Sequence, residues 1–156
     1  MDKETISLLR EPLRWEFLGN EKEFESNVFE NLTELVGVLG LPPIKIAERQ
    51  RQIRFTGGQI IMDIVVRHID GSATIFEVKK ANAKHPATSP HAQMQAIGQL
   101  LLYQNIFELK TNVKPRLILI DNKIHERTWL AFRGNNLPIT LIELQKDRVF
   151  VPYRAF

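Results

Sequence analysis

The sequence predicts an α/β sandwich: a central mixed sheet of about four to five strands flanked by helices. Three observations carry that prediction. Two β-branched runs, residues 60–66 and 73–79, are separated by Ile69-Asp-Gly-Ser72, and Asp-Gly between such runs is a strong hairpin signal. An apolar-periodic stretch over residues 91–108 follows and reads as a helix. The short apolar run 116–121 comes next, as expected of a strand buried on both faces. A helix between two such strands is a crossover, right-handed by general rule, and it makes the sheet mixed.

The remaining elements fit around this frame. Residues 4–18, with Ile6, Leu8, Leu9, Leu13, Trp15, Phe17 and Leu18, read as an amphipathic helix broken at Pro12, serving as an N-terminal cap or a dimer contact. Asn20-Glu-Lys-Glu23 has the form of a capping box. The helix after it presents Phe24, Val28, Leu32, Leu35, Val36 and Leu39 at helical spacing, and ends near Gly40 before Pro42-Pro43. Residues 44–55 alternate with polar side chains, as a half-exposed or edge strand does. Residues 80–91 form a polar, proline-bearing loop. Met94, Ile97, Leu101 and Ile106 are the expected buried positions of the helix that follows it. A short helix over 123–132, a core strand over 138–144 and an edge strand or docking tail over 149–153 complete the chain. It reads as one domain: an N-terminal extension (1–19), a core (20–145) and a C-terminal strand or tail (146–156).

Composition narrows the function classes. A chain of 156 residues, 44% hydrophobic and 25% charged, is large enough for a full core and ordinary for a globular protein. A formal net charge of +3 leans towards a polyanionic partner. With no cysteine, disulfides, thiolate zinc sites and cysteine nucleophiles are excluded. Neither a signal-peptide core nor a run approaching the ~20 apolar residues of a membrane span is visible, so a soluble intracellular protein is the expectation. No Walker loop, Rossmann glycine pattern or Ser/His nucleophile arrangement is present.

The chemistry concentrates on the hairpin. Asp63 interrupts an otherwise apolar strand, and Glu77-Val78-Lys79 closes the next one. Side chains alternate along a strand, so Glu77 and Lys79 share a face and Val78 takes the other. Two carboxylates and a lysine at one end of a hairpin are costly unless water, a metal or a substrate compensates them. A hard divalent cation takes oxygen ligands, and a lysine beside it can position a water or meet a phosphate. That set suits phosphodiester hydrolysis.

Asp63 on one strand and Glu-x-Lys on the next, fourteen residues later, resembles the signature of the PD-(D/E)XK nuclease superfamily, with Met62 where the family's proline stands. Gly57-Gly58 before the first strand, and Gln-x-x-Gly-Gln-Leu-Leu-x-Tyr after the second, extend the resemblance over roughly residues 23–145. It implies a restriction-endonuclease-like three-layer core and a DNA endonuclease of restriction, homing, repair or junction-resolving type. It implies further that Asp63, Glu77 and the Val78 carbonyl hold Mg²⁺, with Mn²⁺ as substitute, and that Lys79 orients the attacking water. Glu25 is implied as a further catalytic carboxylate reaching the metal, and Gln99, ahead of Gln95, as a helix residue serving the catalytic groups with Tyr103 in support. Lys80, Lys84, His85, Arg51, Gln95 and Tyr103 are candidate nucleic-acid contacts, by charge, hydrogen bonding or proximity. Each has a plainer reading: a solvated loop for the basic residues, a macrodipole partner for Glu25, and edge-strand charge for Arg49, Arg51 and Arg54. A compact domain without a separate reading module suggests a homodimer on DNA. Two other classes stay open, a non-catalytic nucleic-acid-binding module on the same scaffold and a protein-interaction or assembly module.

Overall fold

A computed structural model describes residues 4–5, 21–79, 90–145 and 148–156. The elements in chain order are β1 (Glu4–Thr5), α1 (Glu21–Glu30), α2 (Leu32–Val38), β2 (Ile44–Phe55), β3 (Gly58–His68), β4 (Ala73–Val78), α3 (Pro90–Thr111), β5 (Arg116–Asp121), α4 (Glu126–Phe132), β6 (Ile139–Gln145) and β7 (Arg148–Tyr153). The strands form one mixed sheet in the order β1-β7-β6-β5-β4-β3-β2. The sheet is therefore wider than four to five strands, having seven among the described residues. β1 and β7 supply one extra edge, and β2 forms the other.

The β4–β5 and β5–β6 pairs are parallel, so each needs a crossover, supplied by α3 and α4; the other pairs are antiparallel. Two apolar clusters cover the two faces. One joins Phe24, Val28, Leu32, Leu35, Val36 and Leu39 to alternate positions of the sheet, including Phe76, Val78, Ile118 and Ile120. The other joins Ala96, Ile97, Leu100, Tyr103, Phe107 and Phe132 to Ile75, Leu117, Leu119 and Leu141. The result is the expected three-layer α/β architecture.

Local chemistry explains most boundaries. The first helical pair stops at Gly40 (φ 68°), where Leu41 N–H donates to the Val36 carbonyl and Gly40 N–H to that of Gly37. That is a Schellman stop requiring a left-handed residue. The predicted single helix is divided at Asn31. The hairpin turn is braced by Asp70 Oδ1, which accepts from Ser72 N–H at 2.9 Å and Ser72 Oγ at 2.6 Å. Those bonds hold the Asp70 carboxyl below its ordinary range.

Two expectations need correction. Glu4–Thr5 is a strand paired with β7, not the start of a helix, while 6–20, including Asn20 of the capping box, lies outside the described residues. Met94 is 44% exposed; the buried positions of α3 are Gln93, Ala96, Ile97, Leu100, Tyr103, Gln104, Ile106 and Phe107. Of the two readings of the C-terminal segment, strand or tail, residues 148–153 take the strand, sealed by Trp129 Nε1–H donating to the Pro152 carbonyl at 3.1 Å. No helix among the described residues is long and apolar enough to cross a membrane.

Candidate active site

The site opens where β3 and β4 part. Their ladder runs from Arg67–Ala73 to Ile64–Phe76 and stops one residue short of Asp63 and Glu77. From there β4 continues beside β5, pairing Glu77 with Leu119 and Val78 with Ile120, while β3 continues with β2 alone. The gap is bridged by a side chain: Val78 N–H donates to Asp63 Oδ2 at 2.8 Å. Asp63 thereby takes the place of a main-chain acceptor and is fixed beside the Glu-Val-Lys segment.

Side-chain alternation also fails there. Met62 and Ile64 should share a layer, yet Met62 packs with the α3 cluster and Ile64 with the α1–α2 cluster. Across from this switch, between the pairs Arg49–Ile64 and Arg51–Met62, Gln50 has φ 49°. A left-handed non-glycine residue inside a strand is uncommon and marks a functional constraint when the surroundings enforce it. The Gln50 amide donates to Glu25 Oε1 at 2.9 Å and Oε2 at 3.2 Å, and reaches Asp63 Oδ1 at 3.5 Å. Sequence reasoning missed Gln50, because nothing in Arg-Gln-Arg signals a left-handed turn.

Glu77 is 4% exposed, an expensive position for a carboxylate without compensation. Lys79 Nζ lies 3.5 Å from its Oε1, on the shared face that alternation requires. Lys79 itself is fixed by its N–H donating to the Ile120 carbonyl at 2.8 Å. Glu25, also buried, is held from β2 by Arg49 Nε at 3.5 Å as well as by Gln50. Among the described residues, no group of three or more His, Asp or Glu side chains is placed to close on a cation. Glu25 thus reaches Asp63 through the Gln50 amide rather than as a third converging carboxylate.

Tyr103 faces this acidic pair. Burial, then the charges of Glu77 and Asp63, push its phenol up to about 12, so it remains a hydrogen-bond donor through the neutral range. The unfolded chain would ionise first, near pH 10, so this group favours the native state below that pH and ceases to do so as pH rises through 12. Glu77→Gln removes one negative charge and should bring the Tyr103 pKa down while burial keeps it above the ordinary value. Absorbance at tyrosinate wavelengths reads this directly, since the chain has two tyrosines. An unchanged titration would show that Glu77 does not act on the phenol.

The other expected residues are placed differently. Gln95 and Gln99 are exposed on α3, the latter one turn before Tyr103. The Arg51 guanidinium is engaged by Glu48, with Nη1 2.9 Å from each carboxylate oxygen. Lys80, Lys84 and His85 lie outside the described residues. A second group went unnoticed in the sequence: buried Gln93 donates to Asp121 Oδ2 at 2.8 Å and to the Lys123 carbonyl at 2.5 Å. Its Oε1 accepts from His125 N–H at 3.1 Å and Thr128 Oγ1 at 2.7 Å. This amide ties the start of α3 to the segment after β5, the strand that carries Lys79's main-chain acceptor.

Solved structures resemble this chain in fold. One is the crystal structure of a repair endonuclease from Pyrococcus abyssi, matched over 85% of this chain and 50% of that one, with TM-score 0.53 and 19% identity. The chain has the restriction-endonuclease-like fold. Another, the structure of an EndoMS–dsDNA complex, is matched over 85% of this chain and 48% of that one, with TM-score 0.51 and 20% identity. The chain spans about half the length of each of these structures. No family model and no curated protein matches it.

The donor set suits a hard divalent cation. Asp63 and Glu77 offer oxygen only, the chain has no cysteine, and Mg²⁺ keeps most of its waters while taking one or two carboxylates. Two carboxylates flanking an opened hairpin meet that requirement.

Proposed function

We propose that this chain is a metal-dependent DNA endonuclease hydrolysing phosphodiester bonds. The observation that carries the reading is the parting of β3 and β4, with Asp63 and Glu77 on either side and Lys79 3.5 Å from Glu77. The fold supports it, as does the description of one neighbour as a repair endonuclease and of another as a complex with dsDNA. Fold alone does not assign function, so the weight rests on the site.

Asp63, Glu77 and the Val78 carbonyl would hold Mg²⁺, with Mn²⁺ as substitute. The chemistry such an ion supplies is Lewis-acid stabilisation of charge developing on the phosphoryl oxygens. The protein's own groups do the rest. Val78 N–H fixes the Asp63 rotamer, and Gln50 keeps Glu25 beside it without direct repulsion between the carboxylates. Lys79, held beside Glu77, orients the attacking water and offers positive charge to the phosphate. Tyr103, kept protonated, is placed to donate a hydrogen bond within the site, with Gln99 one turn before it. Gln95, Arg51 and the basic residues Lys80, Lys84 and His85 would contact the substrate backbone. A homodimer would bring two such sites onto one duplex.

The test is cleavage of labelled duplex, single-stranded and branched DNA with Mg²⁺, Mn²⁺ or EDTA, wild type beside folded Lys79→Ala. Cutting that needs the cation and falls by about a hundredfold or more without the lysine is the expected result. Duplex binding without cutting would replace the reading with a binding module. Neither binding nor cutting would favour an interaction protein.

A further inference from the structure

Residues 58–63 of β3 pair with β2 alone, so beyond the site the two strands form a two-stranded ribbon running past the rest of the sheet. One face is anchored: Ile53, Ile60 and Met62 are buried in the α3 cluster, with Phe55 packed against it. The opposite face is built from the pairs Gln52–Ile61 and Arg54–Gln59, all four exposed. Among the described residues the side chains of Gln52, Arg54 and Gln59 make no hydrogen bond or ion pair, in contrast to Arg49 and Arg51, which are engaged by Glu25 and Glu48. That face carries one positive charge and no carboxylate. The tip is slim, turning through Thr56-Gly57 into Gly58 at φ 136°.

We propose that this ribbon enters the major groove of duplex DNA beside the bond to be cut, with Gln52, Arg54, Gln59 and Ile61 facing the base edges. The proposal rests on the nuclease reading and names the element that holds its substrate. A two-stranded ribbon fits the B-form major groove, roughly 12 Å wide. The chemistry of the face suits base edges: arginine pairs with guanine O6 and N7, glutamine with adenine N6 and N7, and an apolar side chain meets the thymine methyl. The reach also suits a groove contact, since five or six residues at ~3.3 Å each carry the tip roughly 20 Å from Asp63. The buried face, packed on α3, holds the ribbon rigid against the site, so groove entry and positioning of the scissile phosphate are one event.

The experiment measures duplex binding by fluorescence anisotropy with Ca²⁺, cleavage with Mg²⁺, and interference by guanine N7 methylation, for wild type, Arg54→Ala and Gln52→Ala/Gln59→Ala. All three positions are exposed, and melting temperature verifies folding. Expected are binding weaker by about tenfold or more in Arg54→Ala, and N7 interference in wild type that this variant loses. Wild type that cuts DNA, with variants of equal affinity and equal interference, overturns the ribbon and leaves the nuclease standing. Wild type that binds but does not cut overturns the nuclease, and the same affinity and interference comparison then decides the ribbon. Wild type without duplex affinity, or with no N7 interference, overturns the ribbon directly.

Discussion

Asp63→Asn should abolish cleavage, with a loss on the order of a thousandfold or greater, while the protein stays folded. The substitution is chosen for what it retains. Asparagine keeps an oxygen for the Val78 N–H that Asp63 Oδ2 accepts at 2.8 Å, so the parted hairpin keeps its bridge. What it removes is the charge, and with it half of the hard anionic donor set that Asp63 and Glu77 provide. Cation binding, read by calorimetry with Mn²⁺, should weaken in parallel, and circular dichroism should be unchanged. Cleavage within tenfold of wild type would sink the assignment of Asp63 to the reacting centre.

The second large effect lies in the scaffold. Gln93→Leu should destabilise the protein by about 3 kcal/mol or more, because it strips a hydrogen bond from the buried Asp121 carboxylate and leaves the Thr128 hydroxyl and His125 N–H without their acceptor. For a domain of this size that is a fall in Tm of roughly 6–12 °C. Gln95→Leu, two residues on but exposed, should stay within about 0.5 kcal/mol. Denaturant unfolding of the two variants side by side decides it, and equal losses would mean that the amide network contributes nothing beyond packing.

Much of this was legible in the residues. β2 and β5 begin and end where alternation and the short apolar run place them, because their sequences contain no competing signal. The hairpin was legible for the same reason, Asp70-Gly71 being chemically suited to the turn. The helix after the turn was read with the wrong face in one place: Met94 is apolar but points out, and Gln93 is polar but buried. Polarity misleads there because burial of Gln93 is compensated by partners from residues 121–128, which no local pattern reveals. β1 was unreadable since a two-residue strand exists only through its pairing with β7. At the site, Asp63, Glu77 and Lys79 stood out as charges in apolar strands. Gln50 did not, because its importance comes from a backbone conformation and from three contacts made across the fold.

The hairpin that carries Asp63 and Glu77 has a consequence for how the chain opens. The two carboxylates are fourteen residues apart and share one local turn, whereas the Gln93–Asp121 bond spans twenty-eight. Chain entropy opposes the short closure less than the long one. Partial opening that releases α3 and the segment after β5 therefore leaves the β3–β4 turn able to hold its acidic pair together. The two candidate acids thus sit on the shorter closure, and the helical layer that completes their surroundings hangs on the longer one.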